Sequence, residues 1–363
     1  MKIVPKQQKI FFDFLRFCIG SVKEIPVSLK EADWKELYAI AKKQCLVGIL
    51  FDGIKKLPAE HVGMKKELLL LWMAESQMLK KANVRLNDAA IQVSEWFRKK
   101  GFRTCILKGQ GNALMYPNPY SRTPGDIDIW VEGGDKRVIS FVRSISSHEK
   151  ACYHHIEFPS YKGVEVAVHY RPSFLLCFWH NRKLQKYYER VKEEQFSHRV
   201  MLGEQGEIAI PTAEFNLIFQ LTHIYAHLMN EGIGLRQLLD YYYVLLHADI
   251  KNLAELQRNL KHFGLWKFAG AIMYIMQEVF GMPASRLIVP PNEKYGKFVL
   301  NEVLKAGNFG KHDERNCFGR SKLGHNLQRV YRDIRLMKYF PAEALCEPVF
   351  RTWHLFWRMW NKK

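Results

Sequence analysis

The spacing of apolar side chains divides the sequence into three stretches. Up to about residue 100, apolar positions recur every three or four residues, which predicts amphipathic helices. Between about 101 and 205 the apolar runs are shorter and partly β-branched, and this predicts strands mixed with helices. The helical spacing then returns. We therefore predict an α+β fold with a helical N-terminal region at 1–100, an α/β core at 101–205 and a helical C-terminal region at 206–363.

The same spacing predicts individual elements. The first strand of the core runs into a glycine-rich turn, Lys108-Gly109-Gln110-Gly111. After the core, Thr212 is expected to cap a helix that is followed by a second helix at 235–247. In the core, strands are predicted at 103–107, 127–131, 153–158 and 164–170, and helices at 112–116 and 138–145.

The charge of the chain is unusual. It has 55 lysines and arginines against 36 aspartates and glutamates, which gives a formal net charge of +19. Because 48% of the residues are hydrophobic, the chain is not intrinsically disordered. A positive surplus of this size predicts an anionic partner, which would be nucleic acid, nucleotide phosphates or a membrane surface.

The cysteines and the apolar runs indicate a compartment. Seven cysteines are scattered without a C-x-x-C pair, which argues against a zinc ribbon or a disulfide scaffold and favours the cytoplasm. No stretch approaches about 18 uncharged apolar residues, so no transmembrane helix is predicted. Asp13 and Arg16 interrupt the apolar run at 11–19, and a signal peptide is not expected.

The segment 107–131 (LKGQGNALMYPNPYSRTPGDIDIWV) carries the most informative pattern. Asp126 and Asp128 lie two apart on a predicted strand, so both carboxylates face the same side, about 7 Å apart along the chain. Adjacent carboxylates repel each other unless a cation lies between them, and Mg²⁺ is commonly held by one or two carboxylates and substrate phosphates. A bare D-x-D is more often a solvated strand end. The preceding turn at 108–111, whose N–H groups would cradle phosphate, favours a site here.

These residues match a known pattern. The chain resembles the uncharacterised bacterial nucleotidyltransferases of the polymerase-β superfamily, whose sequences read L-K-G, then Y-P, then an arginine, then D-I-D. The resemblance covers about 100–245. Its matching residues are Leu107-Lys108-Gly109, Tyr116-Pro117, Arg122, Asp126-Ile127-Asp128, Val168-His169-Tyr170, His223, His227, Leu235-Arg236 and Asp240.

The resemblance implies a fold and a reaction. The fold would be a polymerase-β-like core, a small mixed sheet with helices, flanked by helical regions. Asp126 and Asp128 would hold Mg²⁺ (or Mn²⁺) on a nucleoside triphosphate such as ATP, while an acceptor hydroxyl attacks the α-phosphate and pyrophosphate leaves. The residues expected to contact the phosphates are Lys108, Gly109, Gln110, Gly111 and Arg122.

The chain departs from the family pattern at the third carboxylate. The family's acidic residue aligns with Ala167, and Glu165 lies two positions earlier on the same strand face. If Glu165 takes that role, the catalytic and metal-binding triad is Asp126, Asp128 and Glu165. Otherwise the protein would be a degenerate transferase that binds nucleotide or RNA without turnover. Both alternatives stay open, and the acceptor would be RNA, a protein hydroxyl or a small molecule.

Five polar residues are candidates for the wall of the substrate cleft. His223 and His227 share one helix face, but without an H-E-x-x-H motif a polar stripe is a better interpretation than a zinc site. The spacing of four residues between Arg236 and Asp240 predicts a pair on the next helix. His169, on a predicted strand, completes the set.

Two patterns outside the resemblance also make predictions. His154 and His155 are neighbours on a predicted strand, so we expect them on opposite faces, unable to serve one site. A basic amphipathic helix near 325–338 is expected to turn its arginines to solvent or to a phosphate backbone. Its apolar stripe comprises Leu323, Leu327, Val330, Tyr331 and Ile334.

Overall fold

The computed structural model describes residues 6–204, 206–316, 318–319 and 321–361. The helices in these ranges are α1 (Lys6–Ile19), α2 (Trp34–Lys43), α3 (Val47–Ile54), α4 (Lys66–Lys99), α5 (Gly109–Ala113), α6 (Gly134–Ile145), α7 (Phe178–Ser197), α8 (Ala213–Asn230), α9 (Leu235–His247), α10 (Leu253–His262), α11 (Trp266–Phe280), α12 (Glu293–Ala306), α13 (Lys322–Met337) and α14 (Pro341–Trp360). The strands are β1 (Thr104–Leu107), β2 (Ile127–Val131), β3 (His155–Tyr161), β4 (Val164–His169), β5 (Arg199–Met201) and β6 (Glu207–Ala209). Within the described residues, every helix is too short or too polar to cross a bilayer.

A small mixed sheet lies at the centre of the fold. Its strand order is β1-β2-β4-β3, and β5 pairs with β6 in a separate two-stranded sheet. β2 runs antiparallel to β1 and parallel to β4, while β3 and β4 are antiparallel. The predicted α+β fold, a small mixed sheet with helical flanks, is confirmed. The boundaries of the three predicted regions stay predictions.

The two faces of the sheet differ in polarity because side chains alternate along each strand. Ile129 of β2 and Val168 of β4 belong to an apolar core that also contains residues of α4 and α6. Asp128, directly before Ile129, and His169, directly after Val168, line a cavity on the other face. The alternation that was predicted for the core therefore separates packing residues from candidate functional residues.

Several predicted elements are confirmed. The strand at 127–131 and the helix at 235–247 correspond to β2 and α9 at both ends. The Thr212 hydroxyl accepts a hydrogen bond from the Phe215 N–H at 3.3 Å, so Thr212 caps α8 as expected. The helix predicted at 112–116 begins earlier, because α5 starts directly after the turn residue Lys108.

Candidate functional site

A cavity of about 510 Å³ lies on the polar face of the sheet. Eleven of the thirteen predicted site residues line it, and Gln110 and Gly111 do not. Gln110 is buried and donates a hydrogen bond to Asn87, while Gly111 packs against Ile210. The predicted residues that line the cavity are Lys108, Gly109, Arg122, Asp126, Asp128, Glu165, His169, His223, His227, Arg236 and Asp240.

Asp128 lies at the centre of a charged cluster. His169 Nε2 donates to its Oδ1 at 2.7 Å, and Lys108 Nζ donates to its Oδ2 at 2.8 Å. Burial opposes ionisation of this carboxyl, but the neighbouring Lys108 and His169 outweigh burial and hold the pKa of Asp128 well below its ordinary value. Asp128 therefore stays ionised throughout the physiological pH range.

Asp126 has the opposite environment. It immediately precedes β2, is exposed, and lines the same cavity. The charge of Asp128 raises the pKa of Asp126, because two adjacent carboxylates disfavour simultaneous ionisation. A cation that bound both carboxylates would relieve this repulsion, so the pair fits one divalent ion with hard oxygen ligands.

Lys108 connects the sheet to α8. Its Nζ lies 2.9 Å from His223 Nε2, in addition to its contact with Asp128. Burial and the Lys108 charge hold the pKa of His223 well below its ordinary value, so the neutral ring accepts this hydrogen bond. The backbone φ of Lys108 is +53°, a left-handed conformation that is uncommon outside glycine and is found at functional turns. The ammonium group of Lys108 is thus directed into the cavity from a constrained turn.

The register between β2 and β4 places the third candidate carboxylate. Asp128 pairs with Ala167, which leaves Glu165 level with Asp126 at the end of the sheet. Glu165 is exposed and lines the cavity, as predicted from its strand face. Among the described residues, Asp126, Asp128 and Glu165 do not form a group with ligand atoms all within 4.8 Å of one another. The structure therefore brings Glu165 to the cavity without gathering the three carboxylates at one point, and its metal-binding role stays a prediction.

Arg122 and Asp240 form a buried ion pair. Arg122 Nε donates to Asp240 Oδ1 and Nη2 to Oδ2, both at 2.8 Å, and the Tyr116 hydroxyl donates to Oδ1 at 2.7 Å. Burial opposes ionisation, but the Arg122 guanidinium lowers the pKa of Asp240 below its usual value. This bidentate contact engages much of the Arg122 guanidinium, and phosphate binding by Arg122 stays a prediction.

The pair predicted from helical spacing, Arg236 with Asp240, is replaced by this long-range pair. No salt bridge joins Arg236 to a described residue, and its guanidinium carbon lies 5.8 Å from the centre of the Phe309 ring instead. Residues four apart on a helix can pair, but the buried carboxylate is saturated by a better bidentate donor. Arg236 lines the cavity as expected, although its partner was wrong.

A buried amide pair lines the cavity, and sequence reasoning missed its Asn112 member. Gln220 Nε2 donates to Asn112 Oδ1 at 2.7 Å. The Asn112 side-chain nitrogen is buried without a hydrogen-bond partner among the described residues. Buried donors are rarely left unsatisfied, so this amide is available to a ligand. Its position on α5, one turn after Lys108, was the only signal in the sequence.

Comparison with known proteins identifies one matching family. The sequence profile of a family described as uncharacterised nucleotidyltransferase matches residues 30–281. Curated proteins give no match. A solved structure, an antigenic nucleotidyltransferase-like protein from Paracoccidioides brasiliensis, is similar at 12% sequence identity over 58% of this chain and 95% of that chain, with a TM-score of 0.33.

Proposed function

We propose that this chain, which belongs to the family of uncharacterised nucleotidyltransferases, is a transferase. It would transfer a nucleoside monophosphate from a nucleoside triphosphate to an acceptor hydroxyl. The observation that supports this proposal most strongly is the Asp126–Asp128 pair at the end of β2. The pKa of one carboxyl is lowered and that of the other is raised, and perturbed pKa values of this kind cluster at functional sites.

We propose that Asp126 and Asp128 hold Mg²⁺ or Mn²⁺ together with the triphosphate. When bound, the ion would neutralise charge that develops on the phosphate oxygens. Lys108 now donates to Asp128, and its flexible side chain would exchange that carboxylate for a phosphate oxygen when the nucleotide binds. Asn112 would donate its unpartnered amide hydrogen to the substrate.

The transfer step conserves atoms and charge. The acceptor oxygen forms a bond to the α-phosphorus, and the bond from that phosphorus to the leaving pyrophosphate oxygen breaks. We assign the hydroxyl proton to Glu165, because this carboxylate lines the cavity and makes no ion pair with a described residue. Glu165 would then act as a proton acceptor and not as a third metal ligand.

A second function is favoured by a specific observation. Ala167 lies opposite Asp128 where the family has an acidic residue, and both oxygens of Asp128 already accept hydrogen bonds. A protein with this arrangement would bind nucleotide or RNA without turnover. The two functions share the binding step and differ only in chemistry.

The two functions are tested by one pair of measurements on the full-length chain. Calorimetry with ATP and the other three nucleoside triphosphates, each with Mg²⁺ or Mn²⁺, measures binding. A transfer assay with α-labelled nucleotide and cell lysate then detects labelled RNA, protein or small molecules, and it also tests the nucleic-acid acceptor suggested by the +19 net charge. Label transfer supports the enzyme, and triphosphate binding without transfer supports the second function. Absence of binding by any triphosphate would overturn the enzyme and leave RNA binding, measured by calorimetry with a single-stranded RNA, as the test of the second function.

The control variants are chosen to match in chemistry. Asp126→Asn and Asp128→Asn remove one charge each from the pair. Asp249→Asn removes the same charge from an exposed loop residue that makes no ion pair with a described residue. We expect loss of metal-dependent nucleotide binding in the first two variants and wild-type binding in the third.

A further inference from the structure

A cluster of sulfur and nitrogen ligands lies beside the aspartate pair, at the start of β3. Cys152, His154 and His155 each offer one ligand atom, and the three atoms lie within 4.8 Å of one another. Cys152 Sγ is 3.3 Å from His155 Nδ1 and 3.5 Å from His154 Nδ1, and His155 Nδ1 is 2.9 Å from His154 Nε2. No part of the proposed transfer reaction uses these three side chains.

The backbone explains why adjacent histidines meet. The Cys152 N–H donates to the His155 carbonyl oxygen at 2.9 Å, which closes a tight turn. The Tyr170 hydroxyl holds this turn by donating to the carbonyl oxygens of Cys152 and His155. β3 begins at His155, so His154 belongs to the turn and the alternation of a strand does not apply to it. The prediction that the two histidines face opposite sides is therefore wrong, and their ring centres are 4.4 Å apart.

The ligand atoms suit a borderline-soft divalent cation. Zinc bonds of ~2.0–2.3 Å in a tetrahedral arrangement require ligand atoms about 3.3–3.6 Å apart. The distances of 3.3 and 3.5 Å from Cys152 Sγ to Nδ1 of His155 and of His154 lie in this range, so Nδ1 is the ligand atom assigned to each histidine. The 2.9 Å contact uses the other nitrogen of His154, Nε2. Imidazole and thiolate ligands favour zinc and related transition metals, whereas Mg²⁺ prefers oxygen. This cluster is therefore chemically distinct from the aspartate pair.

We propose that Cys152, His154 and His155 bind one Zn²⁺-class cation and leave a fourth coordination position open. Each residue is only partly buried, and all three line a second cavity of about 410 Å³. His154 and His155 also line the cavity that contains Asp128. Three protein ligands with one open position are typical of zinc sites that bind water or substrate. Binding replaces the thiol proton of Cys152 with the metal, and the proton passes to solvent.

The site is positioned to influence the nucleotide site. The His169 ring lies 5.3 Å from the ring of His154 and 5.2 Å from that of His155, and its Nε2 donates to Asp128. A dication among these rings would add positive charge close to Asp128.

A second cluster of potential metal ligands has a structural role instead. Cys177, His180 and Glu343 also lie close together. Glu343, however, is buried and accepts hydrogen bonds from the backbone N–H groups of Leu176 and Cys177, the nearer at 2.6 Å. Its carboxylate satisfies the start of α7, so this cluster serves as a matched negative control.

The proposal is tested by Co²⁺ titration of the full-length, chelator-treated protein. Cobalt replaces zinc in such sites, and its bond to a thiolate gives a near-ultraviolet charge-transfer absorption. We expect one equivalent of Co²⁺ to produce this absorption and Zn²⁺ to displace it. Cys152→Ser and His155→Gln should weaken Co²⁺ binding at least 100-fold, while Cys177→Ser should leave it unchanged.

Two further measurements keep the result interpretable. The double variant Asp126→Asn/Asp128→Asn should retain the cobalt absorption, which separates this site from the nucleotide site. Far-ultraviolet circular dichroism should show that Cys152→Ser is folded, and His155→Gln provides an independent test if it is not. Absence of a thiolate–cobalt absorption in the wild type, or an equal absorption in folded Cys152→Ser, would overturn the proposal.

Discussion

Two charged clusters line the same cavity and are built in opposite ways. In the first, Arg122 and Asp240 are 3% and 5% exposed, and the carboxylate accepts hydrogen bonds from both Arg122 and Tyr116. In the second, Asp126 is exposed and faces the like charge of Asp128. The first cluster is complete without a ligand, whereas the second retains a repulsion that a cation would relieve.

The Arg122–Asp240 cluster links distant parts of the chain, whereas the aspartate pair is proposed to bind a ligand. The Arg122–Asp240 pair joins the loop before β2 to α9, elements that are distant in sequence. Asn83 of α4 supports the same loop by donating to the Arg122 carbonyl oxygen at 2.8 Å. The Arg122–Asp240 pair fixes the wall of the cavity, whereas Asp126 is exposed beside the ionised Asp128 and is accessible to a ligand. We therefore expect changes in the first cluster to affect folding and changes in the second to affect transfer.

The largest effect is expected for Asp240→Ala. Removal of this carboxylate leaves the Arg122 guanidinium buried without its counter-ion, which costs about 3–5 kcal/mol in proteins. The free energy of unfolding, measured by urea denaturation, should fall by this amount. Asp249→Ala, on an exposed loop, should change it by less than about 0.5 kcal/mol. A loss below about 1 kcal/mol in Asp240→Ala would show that the pair is not structural.

Asp128→Asn should lower the transfer activity more than the stability, the opposite of the effect expected for Asp240→Ala. If the chain is a transferase, we expect the rate of nucleotide transfer to fall about a hundredfold, which corresponds to about 2.7 kcal/mol in activation free energy. The stability loss should be smaller than that of Asp240→Ala, because Lys108 can still donate to His223. Denaturation and a labelled-nucleotide assay on the same preparation test both parts. Equal stability losses in the two variants would remove the distinction between the clusters.

The extent to which the sequence predicted this arrangement depends on the range of each interaction. Local alternation was sufficient to place Asp126, Asp128 and Glu165 on the polar face of the sheet. The partnership of Arg122 and Asp240 joins residues 118 positions apart, and no local period encodes it. His154 and His155 were misplaced because the strand begins at His155, two residues later than the predicted start at 153.

The helix α13 shows a different limit of sequence patterns. Its spacing correctly predicts an amphipathic helix, but the face turned inward contains Arg332, Asp333 and Leu336 and not the predicted apolar stripe. Arg332 is 8% exposed, and Arg335 donates to Glu302 at 3.0 Å. A periodic pattern does not specify which face meets the protein when buried carboxylates are available as partners. The predicted stripe lies outward at Leu327, Val330, Tyr331 and Ile334, and the Leu323 side chain lies outside the described residues.

A substitution at Ala167 is expected to increase the metal affinity of the aspartate pair. Ala167→Asp adds a carboxylate directly across from Asp128 in the β2–β4 register. We expect the affinity for Mn²⁺, measured by calorimetry, to rise about tenfold, because a third hard oxygen ligand joins the pair. Ala167→Asn, which has the same shape but no charge, should leave the affinity near that of the wild type. Equal affinities in both variants would indicate that the metal does not reach this position.

The smallest predicted effect is the change in stability of the metal-free protein when Asp126 is replaced by asparagine. The pKa of Asp126 is raised in the folded state, chiefly by Asp128, so folding favours the protonated form. The associated stability is fully present below the unfolded pKa of about 3.9 and is lost as the pH rises through the higher folded value.

Asp126→Asn should therefore stabilise the metal-free protein at neutral pH, because it removes the repulsion between the two carboxylates. The gain should be only a few tenths of a kcal/mol, since exposure to solvent screens that repulsion, and it should disappear below about pH 4. Urea denaturation with chelator at both pH values measures the difference, and a destabilised variant at neutral pH would show that the aspartates do not oppose each other. Added Mg²⁺ should reverse the order of stability if the pair holds the ion, since only the wild type then has two carboxylates to bind it.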